Sequence, residues 1–279
     1  MKRMIKNTFR TLKNLKQIIR YGGVYKINCT TAEGNKHFSA DDLVLVTGGT
    51  RGIGRAIADA FVCAGASVVV TGRKAETGKL SDNLFSIQWD IADIGIIEGK
   101  LDEIAVLTGK QIRILVNNAG VYSKYLFPNC TEEDWDNVYA TNIKGPFFLT
   151  QAIVKRWLQQ PRSDSPRKII NISSQGGCTI ANNPYRMTKW DLRGFTAFLG
   201  KTYSEQNIIA NAIAPGLIMT DMQKEFQKQK DNFYTDLNPS KRLAMPQEIA
   251  DLTLFLASDS ANFIVGQTIA CEGGGYSLV

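Results

Sequence analysis

The chain has 279 residues, 44% of them apolar, and carries a net charge of +7. That is enough apolar material for one substantial core, and a single domain of this size needs no second one. Nine Lys or Arg against Glu33 alone fall within residues 1–40, leaving 24 basic and 25 acidic residues in a near-neutral body, which excludes the basic face that a nucleic-acid binder needs.

Other absences narrow the chemistry further. His37 is the only histidine and lies ahead of the body, so histidine-based triads and histidine zinc sites are excluded and no metal is expected. Cys29, Cys63, Cys130, Cys178 and Cys271 are scattered without a CxxC pair, the pattern of free thiols in a reducing, cytoplasmic compartment. No apolar run reaches the roughly 18 residues of a membrane-spanning helix.

Ile5, Phe9, Leu12, Leu15 and Ile19 share one helical face, Lys2, Lys6, Arg10, Lys13 and Arg20 lie largely on the other, and Gly22-Gly23 ends the segment. This basic amphipathic extension, residues 1–40, suits packing against its own domain or a sister subunit. Peripheral contact with an anionic membrane through residues 1–20 is the alternative, and a lysine-rich, serine-free targeting presequence is a weaker one.

From Leu43 to Val46 the chain reads as a strand buried on both faces; Ile53, Ile57, Phe61 and Ala64 then repeat at helical spacing until Gly65. Between them stands Thr47-Gly48-Gly49-Thr50-Arg51-Gly52-Ile53-Gly54. A glycine turn joining a strand to a helix lets backbone N–H groups approach a dinucleotide pyrophosphate at the positive end of the helix dipole. Ser67–Val70 and Phe85–Gln88 read as further strands, with a single turn or loop expected over Lys74–Leu84. Where an acidic residue would hold an unphosphorylated ribose diol, the chain has Thr71-Gly72-Arg73, followed by Lys74. Arg51 and Arg73 offer two guanidinium forks for a phosphate dianion.

A helix over Ile96–Thr108 leads to the strand Ile112–Val116 and then to Asn117-Asn118-Ala119-Gly120. Trp135–Trp157 reads as a long helix bent near Gly145-Pro146. A strand, Lys168–Ile172, closes on Ser173-Ser174, and a helix over Pro184–Tyr203 carries Tyr185-Arg186-Met187-Thr188-Lys189. Ile208–Ala212 and Gln267–Ala270 complete seven strands, and Leu217–Asn238, rich in Gln, Lys and Asp, reads as a lid. The alternation predicts one doubly wound, mostly parallel seven-stranded α/β sheet with helices on both faces, spanning residues 41–279 as a dinucleotide-binding catalytic domain.

The glycine turn, NNAG, the serine pair and YxxxK, in this order, resemble the short-chain dehydrogenase/reductase family over residues from about Asp41 onward. The resemblance implies that Tyr185 is the general acid and base, that Lys189, four residues along the same helix face, lowers its pKa, and that Ser174 holds the substrate oxygen, with Ser173 left open as the alternative. Ser174 precedes Tyr185 by 11 positions, a couple fewer than the family commonly has. Asn142 matches the residue that positions a water for proton relay through Lys189.

Cofactor contacts are implied at Gly48, Thr50, Arg51, Gly52, Ile53, Gly54, Arg73, Asp90, Ile91, Asn118, Ala119, Gly120, Tyr185, Lys189, Pro215, Gly216, Ile218 and Thr220. Glu272-Gly273-Gly274 departs from the family's Asp-Gly-Gly. The expectation is an NADP-dependent carbonyl reductase, reversible as a secondary-alcohol dehydrogenase and forming a homo-oligomer, with NAD the less favoured cofactor. Lys124 and Arg186 hint at an anionic substrate. The alternatives are a membrane-associated sugar or polyol oxidoreductase, and a non-catalytic dinucleotide-binding scaffold or redox sensor that would have no use for Tyr185 and Lys189.

Overall fold

Strand β1, Leu43–Val46, is completely buried: Leu43 and Leu45 face one side of a central sheet, Val44 and Val46 the other. This two-sided burial sets the architecture, because each sheet face then needs its own layer of helices. The computed structural model describes residues 38–220 and 238–275, all within the unit 35–279. Residues 1–37 of the amphipathic extension, His37 among them, and residues 221–237 of the expected lid lie outside the described residues.

Helix α1, Gly52–Cys63, follows β1 and returns the chain to β2, Ser67–Gly72. Beyond β2 comes a correction. The connection expected to be a turn or loop contains a short strand, β3, Gly78–Ser81, antiparallel to β4, Leu84–Gln88. The sheet therefore has eight strands, not seven, in the order β3-β4-β2-β1-β5-β6-β7-β8, and every pairing except β3–β4 is parallel. Largely exposed, β3 has none of the apolar alternation by which a sequence announces a strand; its backbone simply pairs with an edge left open.

The other half runs through α2 (Ile97–Thr108), β5 (Ile112–Asn117), α3 (Glu132–Tyr139), α4 (Gly145–Leu158), β6 (Arg167–Ile172), α5 (Pro184–Tyr203), β7 (Ile208–Pro215), α6 (Pro246–Ala257) and β8 (Thr268–Cys271). Ile57 and Phe61 of α1 and Ile249 and Leu256 of α6 cover one face; Leu101 of α2, Leu149 and Trp157 of α4 and Leu199 of α5 cover the other. The expected bend near Gly145 is a wide π-helical turn, Ala140–Lys144, between α3 and α4. Pro146 has no N–H to donate, and a side chain on Gly145 would strike the carbonyl of Ile91 in the turn after β4, so the helix passes that turn backbone to backbone. No helix among the described residues is long and apolar enough to cross a membrane, and none of their His, Cys, Asp or Glu clusters is suited to a metal ion.

Lys168 in β6 is fully buried, its Nζ donating to Asn262 Oδ1 at 2.6 Å and to the Ser258 carbonyl at 3.2 Å. Burial pushes its pKa down to about 8 from 10.5, with Asp259 pulling it partly back. Between those values the unfolded chain holds a proton that the folded one has shed, so the cost of burying this group is full below about pH 8 and is relieved as pH rises towards 10.5. In denaturant titrations, wild type should gain on the order of 2 kcal/mol relative to Lys168→Met between pH 8 and pH 10. Parallel pH curves for the two proteins would refute the assignment.

Candidate active site

The strand order reverses at β1: the chain works outward through β2 on one side and through β5 on the other. Connections leaving in opposite directions open a crevice at the carboxyl ends of these strands. That crevice is a cleft of about 560 Å³. The glycine turn forms its base. Gly48 and Gly52 have φ of +63° and +58°, a region that costs any other residue roughly 1–2 kcal/mol.

A side chain on Gly54 would overlap Asn118 Nδ2 and the Gly48 carbonyl, whereas one on Gly52 would meet only Thr220 Cγ2 at 3.6 Å, on the opposite rim. The first turn of α1 has no side-chain cap and no acidic residue, which leaves its N–H groups and the positive end of its dipole available to an anion. A diphosphate fits this cradle without any cationic side chain. Arg51, Arg73 and Lys74 are all exposed and all line the same cleft, and no carboxylate stands at the end of β2.

The reacting side lies across the cleft. Asn183 caps α5 by accepting from the Arg186 N–H at 2.9 Å, and Pro184 occupies its first turn, so the helix begins just before Tyr185. Tyr185 and Ser174 both line the cleft wall, and the Ser174 side chain acts to lower the phenol pKa. Ser174 Oγ also accepts from the Gly176 N–H at 3.1 Å, whereas Ser173 Oγ donates to the Lys189 carbonyl at 2.8 Å and is buried. The two serines are thus separated by geometry: the Ser174 hydroxyl faces the cleft and caps its own turn, while that of Ser173 anchors α5.

Lys189 is buried, its Nζ donating to the Ile172 carbonyl at 2.8 Å and lying 5.6 Å from the Tyr185 ring centre. Burial lowers its pKa to about 8. Burial also raises the Tyr185 phenol above its ordinary value, against the pull of the Ser174 side chain and the Arg186 guanidinium. Desolvation thus disfavours the charged form of both groups.

All the predicted cofactor positions, from Gly48 to Thr220, line the cleft, as do Ser174, Tyr185 and Lys189. Asn142 does not. It is fully buried, its Oδ1 accepting from the Val121 N–H at 2.8 Å and its Nδ2 donating to the Val121 carbonyl at 2.9 Å and to Thr188 Oγ1 at 3.2 Å. Asn142 Oδ1 and Lys189 Nζ nevertheless flank Gly120 closely, at 3.4 and 3.7 Å from where its side chain would begin. Arg186, expected to attract an anionic substrate, turns instead to Thr179 Oγ1 and to the carbonyl of Ile180, at 3.3 and 3.0 Å.

Comparison with known proteins agrees with this arrangement. The family described as enoyl-(acyl carrier protein) reductase matches residues 48–276. The chain is 35% identical over 240 residues to the 3-oxoacyl-(acyl-carrier-protein) reductase FabG of Aquifex aeolicus, covering 82% of this chain and 95% of that protein. This chain belongs to the short-chain dehydrogenase/reductase family. The FabG of Escherichia coli is 34% identical over 244 residues, 85% of this chain and 98% of its own.

Among solved structures, a 3-oxoacyl-(acyl-carrier protein) reductase from Brucella melitensis in complex with NAD aligns with TM-score 0.79 and 28% identity, over 86% of this chain and 99% of that one. A gluconate 5-dehydrogenase from Burkholderia cenocepacia, in complex with NADP and tartrate, aligns with TM-score 0.79 and 27% identity, over 88% and 99%.

Two residues of this short-chain dehydrogenase/reductase, Thr47 of the glycine turn and Tyr122, have roles that the sequence reading did not assign. Thr47 Oγ1 accepts from the N–H groups of Asn118 and Ala119, both at 3.0 Å, joining the glycine turn to the next strand end. Tyr122 lays its ring against Tyr185, with centroids 4.7 Å apart at 45°. Neither had a spacing signal, because each acts on a residue distant in the chain. The contrast between the two glycines is testable by thermal unfolding and nucleotide titration. Gly54→Ala should destabilise the fold by about 1–3 kcal/mol and abolish nucleotide binding, since the turn and Asn118 must separate. Gly52→Ala should cost roughly 1 kcal/mol from its φ alone. Equal effects would mean that close approach is not what Gly54 serves.

Proposed function

We propose that this chain is an NADPH-dependent oxidoreductase that interconverts a carbonyl and a secondary alcohol, with Tyr185 as general acid and base. The observation that carries this reading is the convergence of Tyr185, Ser174 and Lys189 on the wall of the cleft whose base is the glycine turn. When bound, the nicotinamide supplies or accepts the hydride. Tyr185 gives its phenolic proton to the carbonyl oxygen in reduction and takes the hydroxyl proton in oxidation. Ser174 holds that oxygen. Lys189, charged below about pH 8, stabilises the transient phenolate and returns a proton to it. Asn142 serves the same relay by clamping Val121, and so Gly120, beside Lys189.

Arg51 and Arg73 support the choice of NADPH: they are exposed on the cleft rim beside β2, where a ribose phosphate would replace a hydroxyl. The neighbours named above bind NAD in one case and NADP in the other, so the side chains of this chain carry the argument.

Two measurements follow. NADPH-linked carbonyl reduction should decline as pH rises through about 8, as Lys189 loses its proton, and Tyr185→Phe should lower kcat by at least about 100-fold. Undiminished turnover by Tyr185→Phe on every active substrate would refute the mechanism and favour the scaffold or sensor reading. The double substitution Arg51→Ala, Arg73→Ala should raise KM for NADPH about tenfold or more, by loss of charge-assisted hydrogen bonds, and leave KM for NADH nearly unchanged. Equal changes for both nucleotides would overturn the cofactor assignment.

A further inference from the structure

We infer that Arg193 is a positioning residue for the reaction: it stands outside the cleft lining and, by holding the Gly177 carbonyl, fixes the turn that aims Ser174 at the substrate oxygen. This rests on the oxidoreductase reading and adds to it a residue that none of the motifs contains. Arg186, Trp190 and Arg193 follow one another along α5 at spacings of four and three, so their side chains leave one face of the helix. All three end on the loop between β6 and α5. Arg186 donates to the Ile180 carbonyl at 3.0 Å, Trp190 Nε1 to the Thr179 carbonyl at 2.6 Å and Arg193 to the Gly177 carbonyl at 2.8 Å.

Of these contacts, the one made by Arg193 lies nearest the serine. Ser174 opens a short 3₁₀ turn, Gln175–Cys178. The Gly176 N–H donates to Ser174 Oγ at 3.1 Å and the Gly177 N–H to the Ser174 carbonyl at 2.9 Å. Gly177 is thus tied to Ser174 through its N–H and to Arg193 through its carbonyl. A side chain there would begin 2.5 Å from the Lys189 carbonyl oxygen, so the turn rests backbone to backbone on the part of α5 that carries Lys189.

A guanidinium suits this post, because a charge-assisted hydrogen bond is roughly twice as strong as a neutral one. The Trp190 ring, its centre 4.7 Å from Arg193 Cζ, steadies the planar group. What is held matters for the chemistry. Ser174 Oγ accepts from its own turn, which leaves its hydrogen to donate to the substrate oxygen, and the direction of that donor follows the turn. A misplacement of about 1 Å in such a group costs on the order of 100-fold in rate.

The test is a double-substitution cycle read in NADPH-linked reduction of ethyl acetoacetate and cyclohexanone. Arg193→Met keeps the stem and removes the donor. It should lower kcat about tenfold and leave KM for NADPH within about twofold, and in the Ser174→Ala background it should change kcat by less than about twofold. Arg193→Lys, which restores a donor, should recover most of the loss. Trp190→Phe frees a carbonyl farther from the serine and should change kcat by less than about threefold. As a readout free of turnover, amide exchange of the segment 174–178, followed by mass spectrometry, should quicken about fivefold or more in Arg193→Met and stay unchanged in Trp190→Phe.

Equal losses from Arg193→Met with and without Ser174 would make Arg193 a support of the fold alone and overturn the inference, as would unchanged exchange. If Arg193→Met does not fold, Arg193→Gln takes its place in the cycle; failure of both to fold would assign Arg193 to stability and also overturn it. Either result, with Tyr185→Phe inactive, leaves the oxidoreductase reading standing. A Ser174-dependent loss in Arg193→Met beside undiminished turnover by Tyr185→Phe would do the reverse, keeping the positioning of the serine and sinking the role of the phenol.

Discussion

The site depends on a crossed pair of polar contacts at the carboxyl ends of β1 and β5. Asn118 Nδ2 donates to the carbonyls of Thr47 and Gly48, at 2.9 and 3.1 Å, while Thr47 Oγ1 accepts from the N–H groups of Asn118 and Ala119. Where the strand order reverses, the sheet ladder ends and backbone groups on both strands lose their partners in a partly buried place. Unpaired, each such group costs on the order of 1–3 kcal/mol. The two side chains satisfy them and hold the crevice at a width that admits a ligand. The same asparagine is what excludes any side chain at Gly54. The glycine turn, the NNAG segment and the α1 N-terminus are therefore one mechanical unit.

A second constraint is the low dielectric of the sheet interior, used twice along β6. At its start Lys168 is spent on holding the loop after α6. At its end the Ile172 carbonyl receives Lys189, which reaches in from α5 and lines the cleft. Burial lowers both pKa values to about 8, yet only Lys189 stands near a group with chemistry to perform. Desolvation perturbs a lysine wherever it is buried. What makes a perturbed lysine functional is a neighbouring phenol and access to a ligand.

Around the reacting hydroxyls, polar side chains on neighbouring helices hold the β5–α3 and β6–α5 loops: Asn142 binds Val121, Asp134 the Lys124 N–H, and Arg186 the Ile180 carbonyl. Loops tied down in this way leave little freedom beside the reacting groups.

Much of this was legible in the order of residues. The strands β1, β2, β5, β6 and β7 are runs of branched apolar residues, helix α5 is bounded by Pro184 and Tyr203 as its cap and spacing require, and every cofactor position implied by the motifs meets in one cleft. Local signals suffice there because two-sided burial, turn geometry and helix periodicity are properties of neighbouring residues.

Tertiary structure alone decided the eighth strand, the division of labour between Ser173 and Ser174, the diversion of Arg186 to a loop carbonyl, the pairing of Tyr122 with Tyr185 and the rise of the phenol pKa. Each of these depends on which distant atoms come within a few ångströms and on how much water they displace, and neither quantity is encoded in the spacing of residues along a chain.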